Sequence, residues 1–196
     1  LTATASTANK VYDGTTTATT TLTFSGLIGS ETLGQTVGST FNNKNVGTGK
    51  TVTVNSITLA NGSNGGLAAN YSISPGQTST ANVTAKVLTA IASTANKVYD
   101  STTLANTTLT LSGLIGSETL NVTANSTFDN KNIGSGKTVT VNSITLADGT
   151  NGGLAANYSI ATSQTTTATV TAKPLIVSGI TASNKSYDTT TSVSLN

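Results

Sequence analysis

Apolar and polar residues alternate along most of this chain. In Lys50–Ala60, KTVTVNSITLA, the apolar positions are Val52 and Val54, then Ile57 and Leu59. Alternation of this kind predicts strands with one buried face. The phase slips at Asn55–Ser56, which predicts a bulge or bend. TTTLTFSGL offers Leu22 and Phe24, and NYSIS offers Tyr71 and Ile73. TANVTAKVLTAIAS offers Val83, Val87, Leu88 and Ile91, with no loop signal between them. That run predicts a strand leading directly into another. Gly and Asn mark turns at GLIGSETLG, NVGTGK and NGSNGG. Only GGLAAN suggests a short helical turn.

The pattern occurs twice. Leu1–Lys86 aligns with Leu88–Lys173 at a constant offset of 87, and 67 of the 86 positions are identical. A third unit opens at Pro174. A period of 87 is too long for a solenoid coil and suits one small domain. The division expected is therefore 1–86, 87–173 and the start of a third repeat at 174–196. The fold class expected is all-β: tandem small β-sandwiches, immunoglobulin-like, arranged end to end. Each is expected to close its own core, with short junctions at Lys86–Leu88 and Lys173–Pro174.

Composition narrows the chemistry. Thr is the commonest residue, at 44 positions, and charged residues make up 8%. With little charge and many β-branched residues, the reading is an ordered β protein with a hydroxyl-rich exterior. There is no His, Cys, Arg, Trp or Met. Thiolate metal sites, disulfides and His-based catalysis are thereby excluded. A net charge of +2 without a basic run disfavours nucleic acid and anionic membrane. No apolar run is long enough to span a membrane.

The most repeated words carry a resemblance. NKVYDGTTTAT, then FSGL or LSGL, VGTGKTVTV and NYSI, resemble the YDG-repeat domain of large bacterial surface adhesins of the filamentous-haemagglutinin-like, two-partner-secreted kind. The triplet reads Tyr12-Asp13-Gly14, then Tyr99-Asp100-Ser101, then Tyr187-Asp188-Thr189. Since Ser and Thr replace Gly, the backbone there is not expected to require glycine. The resemblance implies an extracellular, β-rich stalk module without enzymatic activity, and it brings no catalytic residues with it.

Candidate chemistry is sparse. Asp13 with Glu31, or Asp100 with Glu118, forms a carboxylate pair of the glycosidase type, but turn or capping roles suit these residues better. Asp129 and Asp148 replace Asn42 and Asn61 of the first repeat, yet the seven acids are too scattered for a calcium site. Lys10, Lys44, Lys50 and Lys86 recur, and any of them beside an Asn and a buried carboxylate suits an amide crosslink; solvated lysine is the plainer expectation. Asn-x-Ser/Thr occurs at Asn61, Asn70, Asn82, Asn106, Asn121, Asn125, Asn157 and Asn184. No catalytic, cofactor-binding or metal-ligating residue is assigned, and no cofactor is expected. The function expected is a non-catalytic spacer on the bacterial cell surface, with neighbouring repeats as partners. The alternative is a repeat that itself adheres, to glycan, host protein or copies of itself, with 174–196 lending strands to a neighbour.

Overall fold

The computed structural model describes residues 1–195, and it is all-β. The first repeat runs β1 (Thr2–Thr7), β2 (Lys10–Val11), β3 (Thr17–Ala18), β4 (Thr20–Ser25), β5 (Leu33–Phe41), β6 (Gly47–Asn61) and β7 (Thr78–Thr84). The second runs β8 (Lys86–Thr94), β9 (Lys97–Val98), β10 (Leu104–Ala105), β11 (Thr107–Ser112), β12 (Leu120–Phe128), β13 (Gly134–Asp148), β14 (Tyr158–Ile160) and β15 (Thr165–Thr171). A single 3-10 turn follows β6 at Ala68–Asn70 and β13 at Ala155–Asn157, at the predicted GGLAAN.

Each repeat builds a five-stranded sheet, β2-β7-β6-β5-β3 and then β9-β15-β13-β12-β10. The β2–β7 and β9–β15 pairs are parallel; the others are antiparallel. A smaller sheet lies alongside: β1 pairs with β4, and β8 pairs with β11 on one side and β14 on the other. The predicted phase slip is a bulge. Gly38 faces Ser56 but Ser39 faces Val54, leaving Asn55 as the extra residue. Asn142 repeats the arrangement in β13. Only Ala85 separates β7 from β8.

Two expectations fail on which side faces in. Val87 and Ile91 are exposed, because the two-residue period that turns Leu88 inward turns both of them outward. Some hydroxyls lie inside: Thr20, Ser39 and Ser126 are buried. They are satisfied by one another and by backbone, which makes their burial tolerable. Thr7 Oγ1 bonds Thr20 Oγ1 and Ser79 Oγ at 2.7 and 2.6 Å, and Ser39 Oγ bonds Thr20 Oγ1 at 2.8 Å. Thr94, Thr107 and Ser126 form the matching chain.

The apolar clusters fall out of phase with the sequence repeat. One cluster joins Tyr12, Phe41, Val52 and Val83 of the first repeat to Leu88 and Tyr158 of the second, with Leu114, Ile115 and Leu120 packed against it. A second cluster holds Phe128, Val139, Ala168 and Val170. The expectation of a separate core in each repeat is therefore corrected: one core crosses the junction. Ala85 alone joins β7 to β8, which holds the two repeats close enough for this core to form.

Residues 174–195 are exposed throughout, with one bridge between Ala182 and Leu195. Asn196, the last residue of the expected third unit, lies outside the described residues.

Candidate functional site at the repeat junction

The NK-x-YD words fold locally. Lys10 Nζ donates to the Thr15 and Thr17 carbonyls at 3.0 Å and pairs with Asp13 at 2.7 Å. Asp13 Oδ1 also accepts from the Thr15 backbone and hydroxyl, both at 2.9 Å. Lys97 with Asp100 and Thr102 forms the same turn, as does Lys185 with Asp188 and Thr190. Its third appearance, in a segment with little other structure, shows how local the encoding is. Bonds from Lys97 and Thr102 hold the Asp100 carboxyl down at about 2. Asn9 Oδ1 accepts the Asn82 backbone N–H at 2.7 Å, which ties the turn to β7.

The residue after Asp is left-handed in all three copies: Gly14 at φ 79°, Ser101 at 66° and Thr189 at 61°. The expectation that this backbone does not require glycine is thus only half right. Ser and Thr occupy the position under strain. At Gly14 there is a second reason for glycine: a Cβ would stand 2.7 Å from Ile115 Cγ2 of the next repeat.

The turn aims Tyr12 across the junction. Its ring meets Tyr158 edge-on, with centroids 5.4 Å apart. Both phenols converge on Glu118: Tyr12 donates to Oε1 at 2.7 Å and Tyr158 to Oε2 at 2.6 Å. Lys44 Nζ completes the group at 3.0 Å from Oε1. Tyr158 Oη in turn accepts the Ile115 backbone N–H at 3.0 Å. Beside this group, Asn157 Oδ1 accepts the Val46 N–H at 2.9 Å, and Asn157 Nδ2 donates to Asn45 Oδ1 at 3.1 Å. Asn157 is 1% exposed. Its burial and these two bonds remove it from the accessible Asn-x-Ser/Thr sites.

The electrostatics favour a charged Glu118. Burial opposes ionisation, but bonds from Tyr158, Tyr12 and Lys44 outweigh it and leave the carboxyl below its ordinary range. Burial and the adjacent carboxylate push Tyr158 up to about 12 and raise Tyr12 as well. The bond to Glu118 raises Lys44.

The other candidate residues are dispersed. Asp13 and Glu31 serve separate neighbours, since Glu31 accepts from Tyr71 while Asp13 closes its turn. Among the described residues, no three acids gather where a metal ion would sit. Asp148 Oδ1 caps Ala155 N–H at 2.7 Å, as Asn61 Oδ1 caps Ala68. Lys50 Nζ bonds Asn43 Oδ1 at 2.6 Å, with no carboxylate paired to it among the described residues. Lys137 meets both Asn130, at 2.8 Å, and Asp129, at 2.7 Å. Lys86 sits in β8, paired with Tyr158 of β14. The sequence reading missed Glu118 as the junction's centre. The available signal was the recurrence of Tyr12, Glu31, Asn70 and Tyr71 at an offset of 87.

Comparison with curated proteins and with solved structures gave no match. The family model described as YDG domain matches residues 1–81 and again 84–168. Most of the chain is covered by the two matches, and the chain therefore belongs to the YDG domain family.

Proposed function

We propose that the chain is a non-catalytic spacer: tandem immunoglobulin-like sandwiches, about 1–86 and 87–173 with a third begun at 174, from the stalk of an extracellular bacterial adhesin. Its role is to hold a binding region away from the cell surface. The observation that carries this reading is the junction. A one-residue linker, a shared apolar cluster and a carboxylate held from both sides fix one repeat against the next. Such a joint transmits direction along a tandem array, where each repeat is supported by its neighbour. The neighbouring repeat is thus the first partner.

Small-angle scattering at low protein concentration tests the reading. A repeat of this size alone has a gyration radius of roughly 12 Å. The chain should scatter as an elongated particle with one preferred length. A compact particle, or a spread of lengths typical of free hinging, would refute the spacer role.

A further inference from the structure

The lateral seam of the second repeat is built from smaller residues than that of the first. In each repeat the smaller sheet lies beside the larger, and two strands, β4 and β5 or β11 and β12, pass each other without forming a ladder. Leu111 stands for Phe24, Val122 for Gln35 and Ala124 for Val37. Leu22 is 4% exposed and Thr20 8%, whereas their counterparts Leu109 and Thr107 are only half-buried. Between β11 and β12 lies a recess of about 370 Å³, lined by Thr107, Thr108, Leu109, Val122, Thr123 and Ala124.

In the first repeat an amide bridges this seam. Gln35 Oε1 accepts the Leu22 N–H at 3.1 Å, and Gln35 Nε2 donates to the Leu22 carbonyl at 2.6 Å. Both backbone groups of Leu22 therefore point away from β1 and into the seam. Leu109 holds the same register, opposite Ala92 as Leu22 is opposite Ala5. Its N–H and carbonyl accordingly point into the recess. Val122 has no polar atom to meet them, and neither group has a protein partner among the described residues.

We propose that this recess binds a glutamine side chain presented by an extended segment of another protein. The ligand chemistry is that of the first repeat, where the same backbone pair takes a primary carboxamide. A carboxamide sets an acceptor beside a donor, which suits the N–H and carbonyl of one residue. A carboxylate only accepts, and no charged group lines the recess to balance it. No aromatic ring lines it either, so a sugar would find nothing to stack on. Thr108 and Thr123 are exposed and put hydroxyls at the rim, where the backbone of the incoming segment would pass. A spacer with or without this site would scatter alike, so the two readings stand or fall separately.

The test is amide NMR of the isotope-labelled full chain, titrated with small probes. These are acetyl-Thr-Gln-Thr N-methylamide, its Glu and Leu counterparts, and N-acetylglucosamine. The glutamine peptide should shift the Leu109 amide saturably, while the Leu22 amide, already held by Gln35, stays still. The Glu and Leu peptides should bind at least about tenfold more weakly, because each loses a bond that the recess offers. Val122→Gln supplies the bridging amide from within and should abolish the shift. Ala124→Val narrows the recess and should weaken binding at least about tenfold. Both variants carry residues that the first repeat holds at the same positions, so loss of folding does not account for loss of binding. The absence of a saturable Leu109 shift, equal binding of the leucine peptide or of N-acetylglucosamine, or binding that survives Val122→Gln would overturn the proposal. So would a Leu109 shift produced by concentrating the protein alone, which would make a second copy the occupant.

Discussion

Tyr12 donates its phenol hydrogen to Glu118 across the repeat boundary, 106 residues along the chain, at 2.7 Å. The tyrosine of the YDG words therefore serves the following repeat as much as its own. It is 1% exposed at the filled junction, whereas its counterpart Tyr99 is only partly buried.

Glu118→Gln should weaken the fold where the same change at Glu31 does not. At Glu118 the substitution removes charge from two buried phenols and Lys44, and hydrogen bonds to a charged group are worth about 1.5–3 kcal/mol. Thermal or denaturant unfolding should show a loss of about 2 kcal/mol. Glu31→Gln, at a partly open face where Tyr71 is its one side-chain partner among the described residues, should cost below about 1 kcal/mol. Equal losses at the two sites would contradict the assignment of Glu118 as the centre of the joint.

Gly14 and Ser101 should respond in opposite directions. Gly14→Ala adds left-handed strain, about 1–3 kcal/mol, and drives a Cβ into Ile115. Ser101→Gly relieves left-handed strain at an exposed position, and should stabilise by about 1 kcal/mol, less the added freedom of the unfolded chain. Denaturant midpoints of the two variants decide the matter.

Much of this fold was legible in the alternation. Val52 and Val54 are buried as read, Ile57 and Leu59 are half-buried, and the slip at Asn55 is the bulge. The direct passage from β7 to β8 was visible as a run without a turn signal. Three features were not legible. Strand phase through Lys86–Ile91 was obscured because Val87, Leu88 and Ile91 are all apolar, and only the sheet decides which face inward. Thr20 and Ser39 look like the many surface hydroxyls, since nothing local marks a hydroxyl whose partner lies on another strand. Glu118 looked like a turn acid because its partners Tyr12 and Lys44 belong to the other repeat.

The junction should loosen in acid. Glu118 has its carboxyl lowered in the folded state, so its contribution is full above the ordinary glutamate value, about 4.3, and is lost as pH falls below that through the lowered value. The carboxyls of Asp13, Asp100, Asp129 and Asp188 are lowered too, so Glu118→Gln should flatten only part of the acid limb. At the alkaline end the sign reverses. Tyr158 is raised to about 12, so its contribution is full below the ordinary tyrosine value of about 10 and is lost between there and about 12. Melting temperature against pH, wild type beside Glu118→Gln, checks both limbs.

The most direct measurement of the shared core is a distance across it. The chain has no cysteine, so Thr53→Cys and Thr140→Cys, at equivalent exposed positions in β6 and β13, accept spin labels without interference. Double electron–electron resonance should give one narrow distance distribution, broadened by adding Glu118→Gln. A distribution already broad in the unaltered junction, unchanged by that substitution, would contradict a core that runs from one repeat into the next.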